Sequence, residues 1–188
     1  MKEFAKTELT EKTVSSRSVF RGHLLDIYDD EVLLPNGQTS KREYNRHVGA
    51  VCVVPITAEG NVIMERQYRY PVGEVLLEIP AGKLNAREED REEAIRRELC
   101  EETGVVAGTL VDLGWFYPAA AYSDEKITMY LAKDLSYGER ALDEDEFLNV
   151  EEIPLSELVR AALSGELHDA KTQMAILRAY LFEKGEGR

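Results

Sequence analysis

With 188 residues, 44% hydrophobic and 31% charged, the chain has the composition of one well-cored soluble domain, with room for a small N-terminal extension but no second full domain. Its formal net charge of −13 excludes nucleic acid as the main partner, because binding a polyanion needs a basic surface, and no apolar run reaches the ~20 residues of a membrane span. Cys52 and Cys100 are the only cysteines, which points to free thiols rather than a disulfide scaffold or zinc site.

The opening MKEFAKTELTEKT mixes charges of both signs without an apolar signal segment, so a cytoplasmic protein is expected. Residues 1–16 are polar and read as frayed or as a short edge element. From Ser18 to Leu34 the pattern alternates loosely and ends at Pro35-Asn36-Gly37, a turn signal, before Lys41–Val48 resumes as a strand. A hairpin or small sheet of this kind cannot hide both faces, which makes an interface plausible there. Ala50–Ile56, Val62–Tyr70 and Glu74–Ile79 read as three strands, the last running through Pro80-Ala81-Gly82 into an acidic segment. Beyond it come Val105–Phe116, a loop at Tyr117–Asp124, a strand at Lys126–Ala132, an acidic loop at Tyr137–Asp145 and a strand-like Phe147–Glu151. Two helices, Leu155–Leu163 and Asp169–Glu183, close the chain. Strands on both sides of a central helix, with helices at the end, give an α+β or α/β/α sandwich.

The acidic segment, GKLNAREEDREEAIRRELCEETGV from Gly82 to Val105, carries the chemistry. Asp90 is a good N-cap, Glu93 three residues on is placed to complete a capping box, and Gly104 supplies the stop. At about 100° per residue, Glu98, Glu101 and Glu102 fall within an arc of about 100°, beside an apolar stripe of Ile95 and Leu99. Carboxylates at the edge of a buried face repel: two charges about 4 Å apart cost about 4 kcal/mol at an effective dielectric of 20. A hard divalent cation offsets that cost and prefers oxygen ligands. The same residues also fit a solvated charged face, with Glu93–Arg97, Glu92–Arg96 and Arg97–Glu101 as i,i+4 pairs.

The run Arg97-Glu98-Leu99-Cys100-Glu101-Glu102-Thr103-Gly104-Val105 resembles the second half of the Nudix box, G-x5-E-x7-REUxEExGU with U aliphatic. Glu89 stands at the right distance before Arg97, but Gly82 to Glu89 is G-x6-E, one residue longer than the pattern; the extra residue is expected in the loop before Asp90. Outside the box, Arg66-Gln67-Tyr68-Arg69, Leu77–Leu84, Tyr122–Glu125 and Glu144–Phe147 look like the ADP-ribose pyrophosphatase branch. One departure is Ala119-Ala120-Ala121, where that branch has Ser-Pro-Gly, so acceptance of another nucleoside diphosphate compound stays open.

The resemblance implies an α+β fold, a Nudix-type α/β/α sandwich over residues 46–188, preceded by a small β-meander over 1–45 that pairs with a second subunit. It implies Mg²⁺-dependent hydrolysis of the pyrophosphate of a nucleoside diphosphate sugar, foremost ADP-ribose to AMP and ribose 5-phosphate. The alternatives are another nucleoside diphosphate derivative (a nucleotide sugar, NADH or a dinucleoside polyphosphate) and a non-catalytic nucleotide-sensing module. Mg²⁺, with Mn²⁺ able to substitute, would be held by Glu98, Glu102 and the carbonyl of Ala81, with Glu101 sharing or supporting that shell. The general base would come from the later acidic loop, as Glu146 or next Glu144. Arg69 matches a phosphate-contacting position, and Arg46 lies near one donated by the partner of a homodimer. Tyr28 and Phe20 are candidates for stacking on a base.

Overall fold

The computed structural model describes residues 9–142 and 146–186. They form two compact units, one of residues 9–47 with 119–125, the other of 48–118 with the described residues from 126 on. In the first unit, β1 (Lys12–Arg21), β2 (Asp26–Leu33) and β3 (Thr39–Asn45) make an antiparallel meander. The sequence pattern suggested a frayed or short edge element up to residue 16 and one long alternating stretch from Ser18. The structure instead runs a ten-residue strand through that boundary and turns at 22–25, with the Gly22 N–H donating to the Leu25 carbonyl. Every residue of β1 is exposed, so burial left no pattern by which the strand could be recognised.

The second unit holds two sheets. One has the order β10–β5–β6, from β5 (Asn61–Arg69), β6 (Glu74–Glu78) and β10 (Leu148–Pro154). The other has the order β7–β4–β9–β8, from β4 (Ala50–Pro55), β7 (Ala81–Lys83), β8 (Val105–Phe116) and β9 (Ile127–Tyr137). Among the described strands of this unit only β4 and β9 pair in parallel. The three-residue β7 is absent from the sequence reading, and β9 continues five residues beyond the Ala132 expected as its end. Helices α1 (Arg91–Thr103), α2 (Leu155–Ser164) and α3 (Ala170–Glu183) complete the unit.

Alternation along the strands sorts the core into two layers. Val51 and Val53 of β4, Tyr130 of β9 and Ile63 of β5 pack with Ala94, Ile95 and Leu99 of α1. Their neighbours Cys52, Val54, Met129 and Met64 face the other way, onto Leu158 of α2 and Ala175 and Ile176 of α3. The result is helix, sheet, helix: an α/β/α sandwich. Cys52 is fully buried, and burial pushes its thiol up to about 12, so it is an inert core residue.

The start of α3 is tied to the sheet. Asp169 caps it, accepting from the N–H and the hydroxyl of Thr172 at 2.9 and 2.5 Å, while the fully buried Thr172 hydroxyl accepts the Ile79 N–H at 3.1 Å. The corner that leads from β6 into Ala81-Gly82 is thereby held from below.

Candidate active site

Helix α1 starts and stops as its sequence dictates. Asp90 accepts from the N–H groups of Glu92 and Glu93, and Gly104 adopts φ 73° at the C-cap, a left-handed conformation that favours glycine. Among the described residues no bond returns from the Glu93 carboxylate to the Asp90 N–H, so only half of the capping box forms. Ile95 and Leu99 are both fully buried, which is worth about 1.5–3 kcal/mol each. That anchoring sets the rotation of the helix, and with it the direction of the glutamates between them and beyond.

Glu102 turns inward: it is 5% exposed, and its Oε2 accepts the Ala81 N–H at 3.1 Å. Glu98 lies against Gly82, where a Cβ would come within 1.9 Å of the Glu98 Cδ, so only glycine leaves room for this carboxylate. Burial pushes both carboxyls above the ordinary glutamate range, and at Glu102 the charges of Glu65, Glu146 and Glu98 push in the same direction. Glu101, one residue round the helix, is more exposed and accepts from Arg97 at 3.3 Å. Arg97 also contacts Glu98 at 2.8 Å and Glu89 at 3.3 Å, so one guanidinium answers three carboxylates of the box.

The lengthened spacing of the box runs through the irregular segment between β7 and the Asp90 cap. Glu89 accepts there from the backbone and side-chain amides of Asn85, which hold its carboxyl below the ordinary range, and it still reaches Arg97. The loop therefore closes on itself just before α1.

The floor of the site is the β5–β6 pair. Arg69 forks onto Glu78, with Nε and Nη2 at 2.6 and 2.7 Å, and Lys171 of α3 reaches the same carboxylate and Asp169. Burial opposes charge on Glu78, but these cations outweigh it and hold its carboxyl below the ordinary range. Nη1 of Arg69 makes no hydrogen bond among the described residues, which leaves it available to a ligand oxygen. Glu146, half-buried, accepts from the Gln67 amide at 3.5 Å. Glu144 lies outside the described residues.

Arg46 belongs to the N-terminal unit and is engaged there. Its guanidinium stacks 3.8 Å from the centroid of the Tyr28 ring and donates to the Tyr44 hydroxyl at 3.1 Å, and that hydroxyl donates to Asp30 at 3.1 Å. Tyr28 itself stacks on Tyr44, whereas Phe20 is exposed on β1.

The residues that reasoning from sequence did not single out are Glu65, Glu78 and Lys171. Glu65 and Glu78 are 3% and 2% exposed and stand opposite each other across β5 and β6. Strand glutamates ordinarily face water, and nothing local distinguishes these two.

Among the described residues no three His, Cys, Asp or Glu side chains converge into a ready metal cage. The donor set nonetheless suits a hard divalent ion: all the candidate ligands are oxygens, Glu65 Oε1 is buried without a hydrogen bond, and Gly82 keeps the space beside Glu98 clear.

A sequence profile of the Nudix domain matches residues 46–174. The chain belongs to the Nudix family. It is a Nudix hydrolase, a class that generally uses divalent metal cations. A second profile, described as the nucleoside diphosphate sugar hydrolase N-terminal domain, matches residues 11–45, the stretch of the meander. The chain is 45% identical over 170 residues to the Bacillus subtilis ADP-ribose pyrophosphatase, covering 89% of this chain and 91% of that one. It is 44% identical to a Bacillus methanolicus protein named methanol dehydrogenase activator, covering 88% and 90%. A crystal structure described as an ADP compounds hydrolase superposes with a TM-score of 0.83 at 25% identity, covering 97% of this chain and all of that one. These likenesses run over nearly the whole length of the chain.

Proposed function

We propose that this Nudix hydrolase cleaves the pyrophosphate of nucleoside diphosphate sugars with Mg²⁺, and that ADP-ribose is its preferred substrate, yielding AMP and ribose 5-phosphate. The observation that carries the reading is the set of inward-facing, charge-frustrated carboxylates of Glu98 and Glu102 against the Ala81-Gly82 corner. Glu98, Glu102 and the carbonyl of Ala81 would hold Mg²⁺, or Mn²⁺ in its place, with Glu101 supporting the shell. Bound there, the ion supplies charge neutralisation for the pyrophosphate and lowers the pKa of coordinated water.

The chain's own groups do the remaining work. Arg69, forked on Glu78, presents Nη1 to a phosphate oxygen from a fixed direction. Glu146, and next Glu144, takes the proton of the attacking water as its oxygen bonds to phosphorus and the bridging P–O bond breaks. Arg46, with Tyr28 beside it, would meet the substrate of a second subunit. The fully exposed β1 edge is the face on which two copies would pair, since long unpaired edges rarely stay open. Among the described residues no helix is long and apolar enough to cross a membrane, and we place the enzyme in the cytoplasm.

The test is product release from ADP-ribose, ADP-glucose, GDP-mannose, UDP-glucose, NADH and diadenosine polyphosphates, each with Mg²⁺, with Mn²⁺ and with EDTA. Metal-dependent release of AMP, fastest from ADP-ribose, is expected despite Ala119–Ala121. No release from any of them by folded, metal-binding protein would overturn the reading in favour of a sensing module. A monomer in gel filtration at micromolar concentration would overturn the dimer.

A further inference from the structure

Glu65 is a charged residue in the middle of a buried strand, and its direction follows from the strand period. Ile63 packs into the layer under α1 and Met64 into the layer under α2 and α3. Two residues after Ile63, Glu65 returns to the α1 side, and Gln67 and Arg69 continue the same face. Directly across β6 stands Glu78, and across β10 stands Val150. Like charges opposed on adjacent strands repel, so each needs a cation. Glu78 has two, Arg69 and Lys171.

Glu65 has none of comparable reach. Among the described residues it forms no ion pair, and its Oε1 is buried with no hydrogen-bond partner. Burial acts first to push its carboxyl up, and the charges of Glu146 and Glu78 add to that, against weaker opposition from Arg140 and Lys171. The β6 strand beside it leads, three residues past Glu78, to Ala81, whose N–H donates to Glu102. An apolar side chain would fill this place at no electrostatic cost, whereas an orphaned buried acceptor costs about 1–3 kcal/mol and a charged one more.

We propose that Glu65 is a further carboxylate ligand of the divalent-cation site, delivered from the sheet on the side that α1 covers. This rests on the reading of Glu98 and Glu102 as metal ligands, and enlarges it: the cation is clasped between helix and strand rather than perched on the helix alone. With an added anionic ligand, the site binds the free ion more tightly before any phosphate arrives.

The experiment is a Mn²⁺ titration of the metal-free full chain, wild type against Glu65→Gln, read by the paramagnetic signal of free Mn²⁺, with thermal unfolding in EDTA alongside. The Gln variant is expected to unfold in EDTA no lower than wild type, since a buried unpartnered charge has been removed. It is expected to bind Mn²⁺ at least ~10-fold more weakly, or one equivalent fewer, on the scale of a lost metal-site partner. Unchanged affinity and stoichiometry in folded Glu65→Gln would overturn the inference while leaving the α1 ligands intact. Absence of Mn²⁺ binding by wild type would instead overturn the metal reading itself, and this inference with it. Should Glu65→Gln fail to fold, Glu65→Asp decides: one methylene shorter, it keeps the charge but withdraws it, and wild-type binding by that variant would likewise overturn the proposal.

Discussion

Replacing Glu78 by Gln tests how the floor of the site is held. The Glu78 side chain is 3% exposed and carries the bidentate fork of Arg69 and the ammonium of Lys171, which is itself 13% exposed. Removing one partner of a buried ion pair costs about 3–5 kcal/mol, because a charge is left in low dielectric without its answer. Here the low end applies. Arg69, with 41% of its side chain exposed, can turn to water, and Lys171 keeps Asp169 at 3.0 Å. Glu78→Gln should therefore lose about 3 kcal/mol in urea unfolding at pH 7, equivalent to a Tm fall of roughly 6–12 °C for a chain of this size. The pH dependence carries the same information. Because the folded-state carboxyl lies below the ordinary value, the unfolded chain binds its proton first as pH falls. Wild type accordingly keeps this stabilisation above the ordinary glutamate pKa and loses it as pH drops through the depressed one. The Gln variant should lack that portion of the acid limb. A loss under about 1 kcal/mol, or an acid limb unchanged from wild type, would refute the reasoning that this triad is a net stabiliser.

Glu98→Gln should abolish turnover while shifting Tm by no more than about 2–4 °C, the equivalent of about 1 kcal/mol, since Arg97 can still donate to the amide oxygen; circular dichroism and product release measure the two. Gly82→Ala forces the Glu98 carboxylate aside without disturbing backbone, so kcat/KM should drop on the order of 100-fold with little change in Tm, and an active Gly82→Ala would show that Glu98 works from elsewhere. EDTA should raise the apparent stability of Glu65→Gln relative to wild type, and saturating Mn²⁺ should narrow or reverse that difference, as differential scanning fluorimetry would register. Arg46→Ala should raise KM more than it lowers kcat, and an unchanged KM would confine Arg46 to its stacking on Tyr28.

What the sequence made legible follows the range of the forces involved. The acidic helix could be read because its determinants are local: the Asp90 cap, the Gly104 stop, and Ile95 and Leu99 at helical spacing. The strand expected from Lys126 to Ala132 was readable in its place but not in its length, since β9 runs on to Tyr137. By contrast, β7 is three residues long, follows a proline, and exists only because β4 lies beside it. Arg69 could be singled out by type and place, yet its partner Glu78 stands nine residues on and becomes a neighbour only when β5 and β6 pair. Glu65 was missed for a sharper reason. Met-Glu-Arg reads as apolar inside and charge outside, a rule for sheets covered on one face, whereas this part of β5 has core on both. The lengthened Gly82–Glu89 spacing was visible as an irregularity, but the Asn85–Glu89 closure inside it is a contact that spacing alone does not contain.

The tie between Asp169, Thr172 and the Ile79 amide bears on how small a working version of this enzyme can be made. The Nudix profile ends at residue 174, just past the cap, which invites trimming there. A chain ending at that point would keep the hydroxyl that holds the Ala81-Gly82 corner but lose Ala175, Ile176 and Ala179, all fully buried, and with them the turns that keep Asp169 and Thr172 in place. Past residue 174 the last helix supplies packing rather than side chains to the site, where its Lys171 reaches Glu78, yet the minimal enzyme has to include it.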